Sequence, residues 1–354
     1  MSVLSGVIVY FYKRLYQLLT VLGSVVLRTG RSNIGLPPEL VAYIWSFLTL
    51  KDLVKFGQTS RANYRLVRGA LRNTVHRLVA PFTSKGGVDR FLNMLRSERA
   101  VISGSMALFP LIFCNFSGTV SIGSFWVPHD MDIYEPKTTK GGSGVLKYLL
   151  EVEGYEEQNL EERSLQEQYD AWRGIRQMKN VVRDGFRVDI VTSSSSSAVS
   201  PIFYFHSTPV INWISPEGLF SAYPKLTCAR RGLLNPMALD RTRFIPALPG
   251  TSVRHSLNKY NIRGFDIRRN PSCWTDDSHP CTFAAECPIT TCNVVDGGCM
   301  FVPFTENFER RVFPYDSPYI CFWYLGGPLC DGRQRVTDPY VSLRTDADNE
   351  RFFA

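Results

Sequence analysis

Acidic residues are missing from the first 38 positions of this 354-residue chain, which instead carry Lys13, Arg14, Arg28 and Arg31. Long apolar runs are scarce as well. The stretch from Leu15 to Leu27 is 13 residues, short of the twenty or so that cross a bilayer. Cysteine is rare before residue 270, where only Cys114 and Cys228 occur, and nowhere do two cysteines form a CxxC pair. No secretory signal stands out. These absences argue against a secreted disulfide module or a zinc ribbon and point to reduced thiols in the cytoplasm or nucleus. For residues 1–32 a transit peptide, an interfacial membrane-associated helix, a signal anchor and an ordinary packed helix all stay open.

What is present sets the scale. A chain of this length is expected to divide into two or three structural units, and 44% hydrophobic residues are enough to give them cores. Charge is uneven: residues 1–100 hold 15 Lys/Arg against 4 Asp/Glu, and the remainder 25 against 28. Arg61, Arg65, Arg68 and Arg72 recur at helical spacing and are expected to share a face. No aromatic stacking motif accompanies them, so nucleic acid gains little support as a partner.

Residues 33–80 read as three short apolar-faced helices. Pro37 and Pro38 suit a first turn. Leu40, Ile44, Phe47 and Leu48 follow at helical spacing, Leu53 and Phe56 form a second pattern, and Ser60 is placed to cap a third. Leu36, Pro37, Glu39, Leu40, Ile44, Leu48, Leu53, Arg61 and Tyr64 together resemble an F-box. That resemblance implies docking on a Skp-type adaptor of a cullin ubiquitin ligase through Leu36, Pro37, Leu40, Ile44 and Leu48.

Residues 86–270 carry a different pattern. A helix is expected over 86–100, then a β-branched buried strand at 101–103, then Gly104-Ser105 leading into a further helix. "PHDMDIYEP" at 128–136 puts Asp130 and Asp132 on one face of a strand, with Met131 and Ile133 on the other. "FRVDIVTS" at 186–193 is another strand, with Asp189 inside it. Carboxylates this close repel unless a cation lies among them, and oxygen ligands suit Mg²⁺. Gly104 would let backbone amides approach a phosphate at a helix N-terminus.

In that order the pieces resemble the nucleotidyltransferase superfamily: Gly104-Ser105, then Asp130 and Asp132, then Asp189. The resemblance implies Asp130 and Asp132 as Mg²⁺ ligands. It makes Asp189 a third ligand or the base for an acceptor, and gives Gly104-Ser105 the triphosphate of an NTP. The 24 residues between Ser105 and Asp130 exceed the usual spacing and imply an insertion over 112–127. With "KYNIRGFDI" and similar strings, the combination resembles a large group of uncharacterised fungal proteins.

Residues 156–180 are polar and expected to be helical or loose. Residues 202–228 are aromatic-rich and irregular, with His206 either a satisfied core residue or a contact near Asp189. Lys225, Arg230 and Arg231 are phosphate contacts or surface charges. Residues 271–354 are Cys-rich and loop-rich. Cys281, Cys287, Cys292 and Cys299 could bind zinc or pack as free thiols.

The fold expected is α+β: a small helical F-box-like unit, a mixed β-sheet of nucleotidyltransferase type, and an irregular C-terminal region that extends or covers the sheet. Two functions compete. One, the reading the sequence favours, is a ubiquitin-ligase adaptor that carries a nucleotidyltransferase-like domain, active or inactive. The other is a Mg²⁺-dependent nucleotidyltransferase.

Overall fold

Alternating and continuous apolar stretches between residues 101 and 303 assemble into an eight-stranded mixed sheet, so the chain is α+β. The computed structural model describes residues 48, 50–113, 126–137, 142–158, 174–236, 251–269, 271, 274, 284–304, 319–328, 336–337 and 340–345. All of them lie in one compact unit, Trp45–Ala354. Among the described residues no helix is long and apolar enough to cross a membrane.

The helices are α1 (Leu50–Gly57), α2 (Arg61–Val79), α3 (Val88–Ser97), α4 (Gly104–Ile112), α5 (Gly144–Glu151), α6 (Pro224–Cys228) and α7 (Thr251–Ile262). The large sheet uses β1 (Val101–Ser103), β2 (Asp130–Glu135), β3 (Glu156–Gln158), β4 (Ile175–Arg183), β5 (Phe186–Ser193), β6 (Asn212–Ser215), β7 (Gly218–Ser221) and β11 (Met300–Pro303). Between β7 and β11 the chain adds a small parallel pair, β8 (Arg231–Leu233) with β9 (Asp266–Arg268), and then β10 (Cys292–Asn293). Strand order across the large sheet is β11-β7-β6-β1-β2-β5-β4-β3. The β2–β5 pairing is parallel and every other pairing in that sheet is antiparallel.

Local chemistry explains the elements that position the site. The Ser60 hydroxyl accepts from the Asn63 amide at 3.1 Å and caps α2, as its place in the sequence suggests. Ser143 caps α5 and donates to the buried Glu135 at 2.6 Å, tying that helix to the end of β2. Asp184 and Gly185 have φ of 51° and 81° between the paired Arg183 and Phe186. Two consecutive positive φ angles make a tight hairpin turn whose twist matches the flanking strands, and this fixes the β4–β5 register. The antiparallel strand β4 corrects the expectation of a helical or loose 156–180. Its partner β5 supplies a ladder that the polar composition did not announce.

α4 is apolar on all sides and buried from Gly104 to Leu111. It lies against β1, β2 and β6 on one side and against α1 and α2 on the other, so the helical layer and the sheet share a core. Leu50 and Leu53 are fully buried in that core. Under the sheet, Trp213 stacks on Phe220 with ring centroids 3.8 Å apart, and Phe203 stacks on Trp323 at 4.1 Å. The aromatic stretch at 202–228 thus contains two 3₁₀ turns, the β6–β7 hairpin and α6.

The Cys-rich region both extends the sheet, through β11 on β7, and builds a three-stranded sheet of β10, β12 (Tyr319–Tyr324) and β15 (Tyr340–Thr345). A further pair joins β13 (Gly327–Pro328) and β14 (Val336–Thr337).

Candidate functional site

The expected face forms where β1 ends and β2 and β5 begin. In the parallel register Asp130 lies opposite Arg187 and Asp132 opposite Asp189, so one Arg and three Asp side chains share a face. The opposite face, Met131, Ile133, Val188 and Ile190, is buried in the core.

α4 starts directly at this face. Ser103, the last residue of β1, pairs with Asp132, and the next residue turns into the helix. Gly104 has φ 63°, and a Cβ there would overlap the Asp132 carboxylate. Glycine is required twice over, for the left-handed backbone and for the close approach. The Ser105 hydroxyl, on a buried residue, lies 3.3 Å from Asp130 Oδ1 as its donor. Gly104 thus lies against Asp132, Ser105 against Asp130, and Asp189 opposite Asp132 on the neighbouring strand.

The three carboxylates have different surroundings. Asp189 is buried and held by Arg187, which donates from Nε to Oδ1 at 2.6 Å and from Nη2 to Oδ2 at 2.7 Å. Asn180 on β4 adds a third bond to the same carboxylate. Asp132 is the contrast: half-buried, it receives no hydrogen bond among the described residues. Burial first, then the negative charges of Asp130 and Asp189, push its carboxyl up to about 8, against a smaller pull from Lys259 and Arg187. Among the described residues no three His, Cys, Asp or Glu side chains are gathered as a ready metal cage. The carboxylate that a cage would recruit next, Asp189, is engaged by arginine.

α7 supplies cations that sequence reasoning did not single out. Lys259 is close enough to Asp132 to oppose its proton, and Arg263 interacts with Asp130. Arg263 lies 3.8 Å from the centroid of the Trp126 ring. Trp126, His255, Asn258, Lys259, Ile262 and Arg263 line a pocket of about 250 Å³. The "KYNIRGFDI" string was the available signal, since it places Lys259 and Arg263 four apart on one helix face.

His206 is buried, bonded through Nδ1 to the Ser207 hydroxyl at 2.8 Å, and lowered to about 4 by burial and then Lys259, which makes it a neutral core histidine. Lys225 pairs with Glu286 at 3.1 Å, Arg230 donates to the Arg263 carbonyl at 2.8 Å, and Arg231 lies over Trp274. The basic face of α2 is interrupted: Arg68 is buried and donates to the Pro303 carbonyl at 2.9 Å, while Arg61, Arg65 and Arg72 are exposed. Leu36, Pro37, Leu40 and Ile44 lie outside the described residues, and Leu48 is half-buried in a bend.

Cys281 also lies outside the described residues. Cys287 and Cys292 are buried and Cys299 is half-buried. Burial raises the Cys292 thiol to about 12, and both Cys292 and Cys299 donate to backbone carbonyls.

No family model, curated protein or solved structure matches this chain.

Proposed function

We propose that the β1–β2–β5 face binds a nucleoside triphosphate through a divalent cation and transfers its nucleotidyl group to an acceptor, as the nucleotidyltransferase resemblance implies. One observation carries the reading. The Asp132 carboxylate has no hydrogen-bond donor among the described residues, lies on one face with Asp130 and Asp189, and abuts the start of a helix. A half-buried carboxylate so placed needs a proton or a cation.

Asp130 and Asp132 are the residues that would hold Mg²⁺. When bound, it supplies positive charge to the polyphosphate and to the departing pyrophosphate. The chain's own groups do the rest. Ser105 orients Asp130. Gly104 lets the Asp132 carboxylate lie against the start of α4, and the free amides of its first turn favour negative charge there. Lys259 and Arg263 bring fixed positive charge from across the face, where it stabilises phosphate oxygens in a partly water-excluded site.

The test is calorimetric titration of ATP and of GTP into the full chain, with and without Mg²⁺. Binding that needs Mg²⁺ and disappears in Asp130→Ala and Asp132→Ala supports the proposal. Equal binding without Mg²⁺, or none with it, rejects it. Adaptor docking by residues 33–80 is a separate proposal supported by the sequence pattern. Its test is capture of a Skp-type adaptor, lost in Leu40→Ala/Ile44→Ala.

A further inference from the structure

We infer that Arg187 is a resident counter-cation that withholds Asp189 from metal binding, so that the site takes a single divalent ion on Asp130 and Asp132. The inference rests on the metal-binding reading above and goes beyond it. The pattern alone makes Asp189 a third ligand, whereas the geometry assigns its charge to another partner.

Three observations carry it. First, the Arg187–Asp189 contact is bidentate, with both carboxylate oxygens taken at 2.6 and 2.7 Å. A planar guanidinium matches a carboxylate in this fork geometry far better than a point cation does. Second, Asn180 donates to Oδ1 as well, so that oxygen accepts two bonds and little lone-pair capacity is left for a metal. Third, the placement is set by the fold. Arg187 and Asp189 are two apart on β5, hence on one face, and the parallel register puts Arg187 directly beside Asp130.

The Asp189 side chain is 9% exposed and that of Arg187 48%. The carboxylate is therefore committed inside the sheet while the guanidinium reaches the surface of the site. A second divalent ion would have to displace a hydrogen-bonded guanidinium from a largely desolvated carboxylate. It would also have to settle beside the positive charge it had displaced. Both terms oppose it.

The experiment is Mn²⁺ titration of the full chain, read by the electron paramagnetic resonance signal of free Mn²⁺. Wild type is expected to bind one ion per chain, and Asp132→Asn to lose it. Arg187→Gln frees Asp189 and is expected to tighten Mn²⁺ binding at least tenfold or to add a second ion. Removing a nearby positive charge would by itself also tighten binding, so the double variant Arg187→Gln/Asp189→Asn decides the matter. It deletes both members of the pair at constant net charge and leaves no buried charge unpaired.

If Asp189 is withheld, the double variant binds one Mn²⁺ within about threefold of wild type. If Asp189 already ligates, the double variant loses tenfold or more and the inference is overturned. An Arg187→Gln variant that folds but binds like wild type overturns it too. Should Arg187→Gln not fold, the double variant alone gives the answer. The two readings fail separately: no Mn²⁺ bound by wild type or by either variant removes the metal site itself. Wild-type binding that Asp132→Asn abolishes, but that is unchanged in Arg187→Gln, removes only the role of Arg187.

Discussion

Binding of a divalent cation should expel a proton from Asp132. The carboxyl is raised to about 8 by burial and then by the charges of Asp130 and Asp189. A group with that affinity is about nine-tenths protonated at pH 7, about half at pH 8 and about one-tenth at pH 9. A metal ligand must be deprotonated, so each ion bound releases the proton that was there. The expected release is therefore about 0.9 proton per ion at pH 7, falling through about 0.5 at pH 8 towards about 0.1 at pH 9. Calorimetric titration of Mg²⁺ in buffers of different ionisation enthalpy measures it directly, because the observed heat changes with the buffer in proportion to the protons moved. The release should vanish in Asp132→Asn together with binding. Tight binding with no proton release at pH 7 would refute the reasoning. It would mean that the ion sits elsewhere, or that Asp132 is already ionised and partnered.

The same group gives a stability signature. Asp132 is raised above its unfolded value and its contribution is lost as pH rises towards 8, whereas His206 is lowered to about 4 and adds stability as pH rises to about 6.5. The two oppose below pH 6.5, so metal-free thermal stability should fall from pH 6.5 to 8.5, and Asp132→Asn should flatten that slope. Gly104→Ala should cost at least about 1–2 kcal/mol in denaturant unfolding from the left-handed backbone alone, and a loss under about 0.5 would contradict the overlap with Asp132. Glu153 is buried, accepts from the Tyr148 hydroxyl at 2.8 Å and from the Ser84 amide, and pairs with Arg183, so Glu153→Ala should cost about 3–5 kcal/mol by the same measurement. Cys292 in the native protein should resist alkylation at pH 8, and rapid labelling would show that its thiol is neither buried nor neutral.

Much of the site was legible because strand periodicity is a strong signal over short distances. Val101–Ser103 and Phe186–Ser193 were bounded correctly, Asp130 and Asp132 share a face, and Met131 and Ile133 fill the core. The helix that begins at Gly104 followed from a glycine between an apolar strand and an apolar run. What the pattern could not give was partner choice. Arg187 precedes Asp189 by two residues and so had to share its face, but only the register across β2 and β5 puts that pair beside Asp130 and Asp132. Lys259 and Arg263 lie some seventy residues further on, and their approach depends on tertiary packing. β4 was missed because its outer positions are polar, as suits a strand whose side chains are only partly buried. The face shared by Arg61, Arg65, Arg68 and Arg72 failed at Arg68, where packing turned one arginine inward to bond a carbonyl of β11.

The order of strands in the large sheet has a consequence for synthesis. The four strands that carry or flank the acidic face, β1, β2, β4 and β5, are complete by residue 193, whereas β11 comes from Met300–Pro303. A nascent chain can thus assemble the acidic wing well before it can shield β7. Until Met300 leaves the ribosome, a strand whose residues are all buried in the finished fold has one unprotected edge. Fragments ending near residue 295 would keep every acidic residue of the site and yet expose a template for intermolecular pairing.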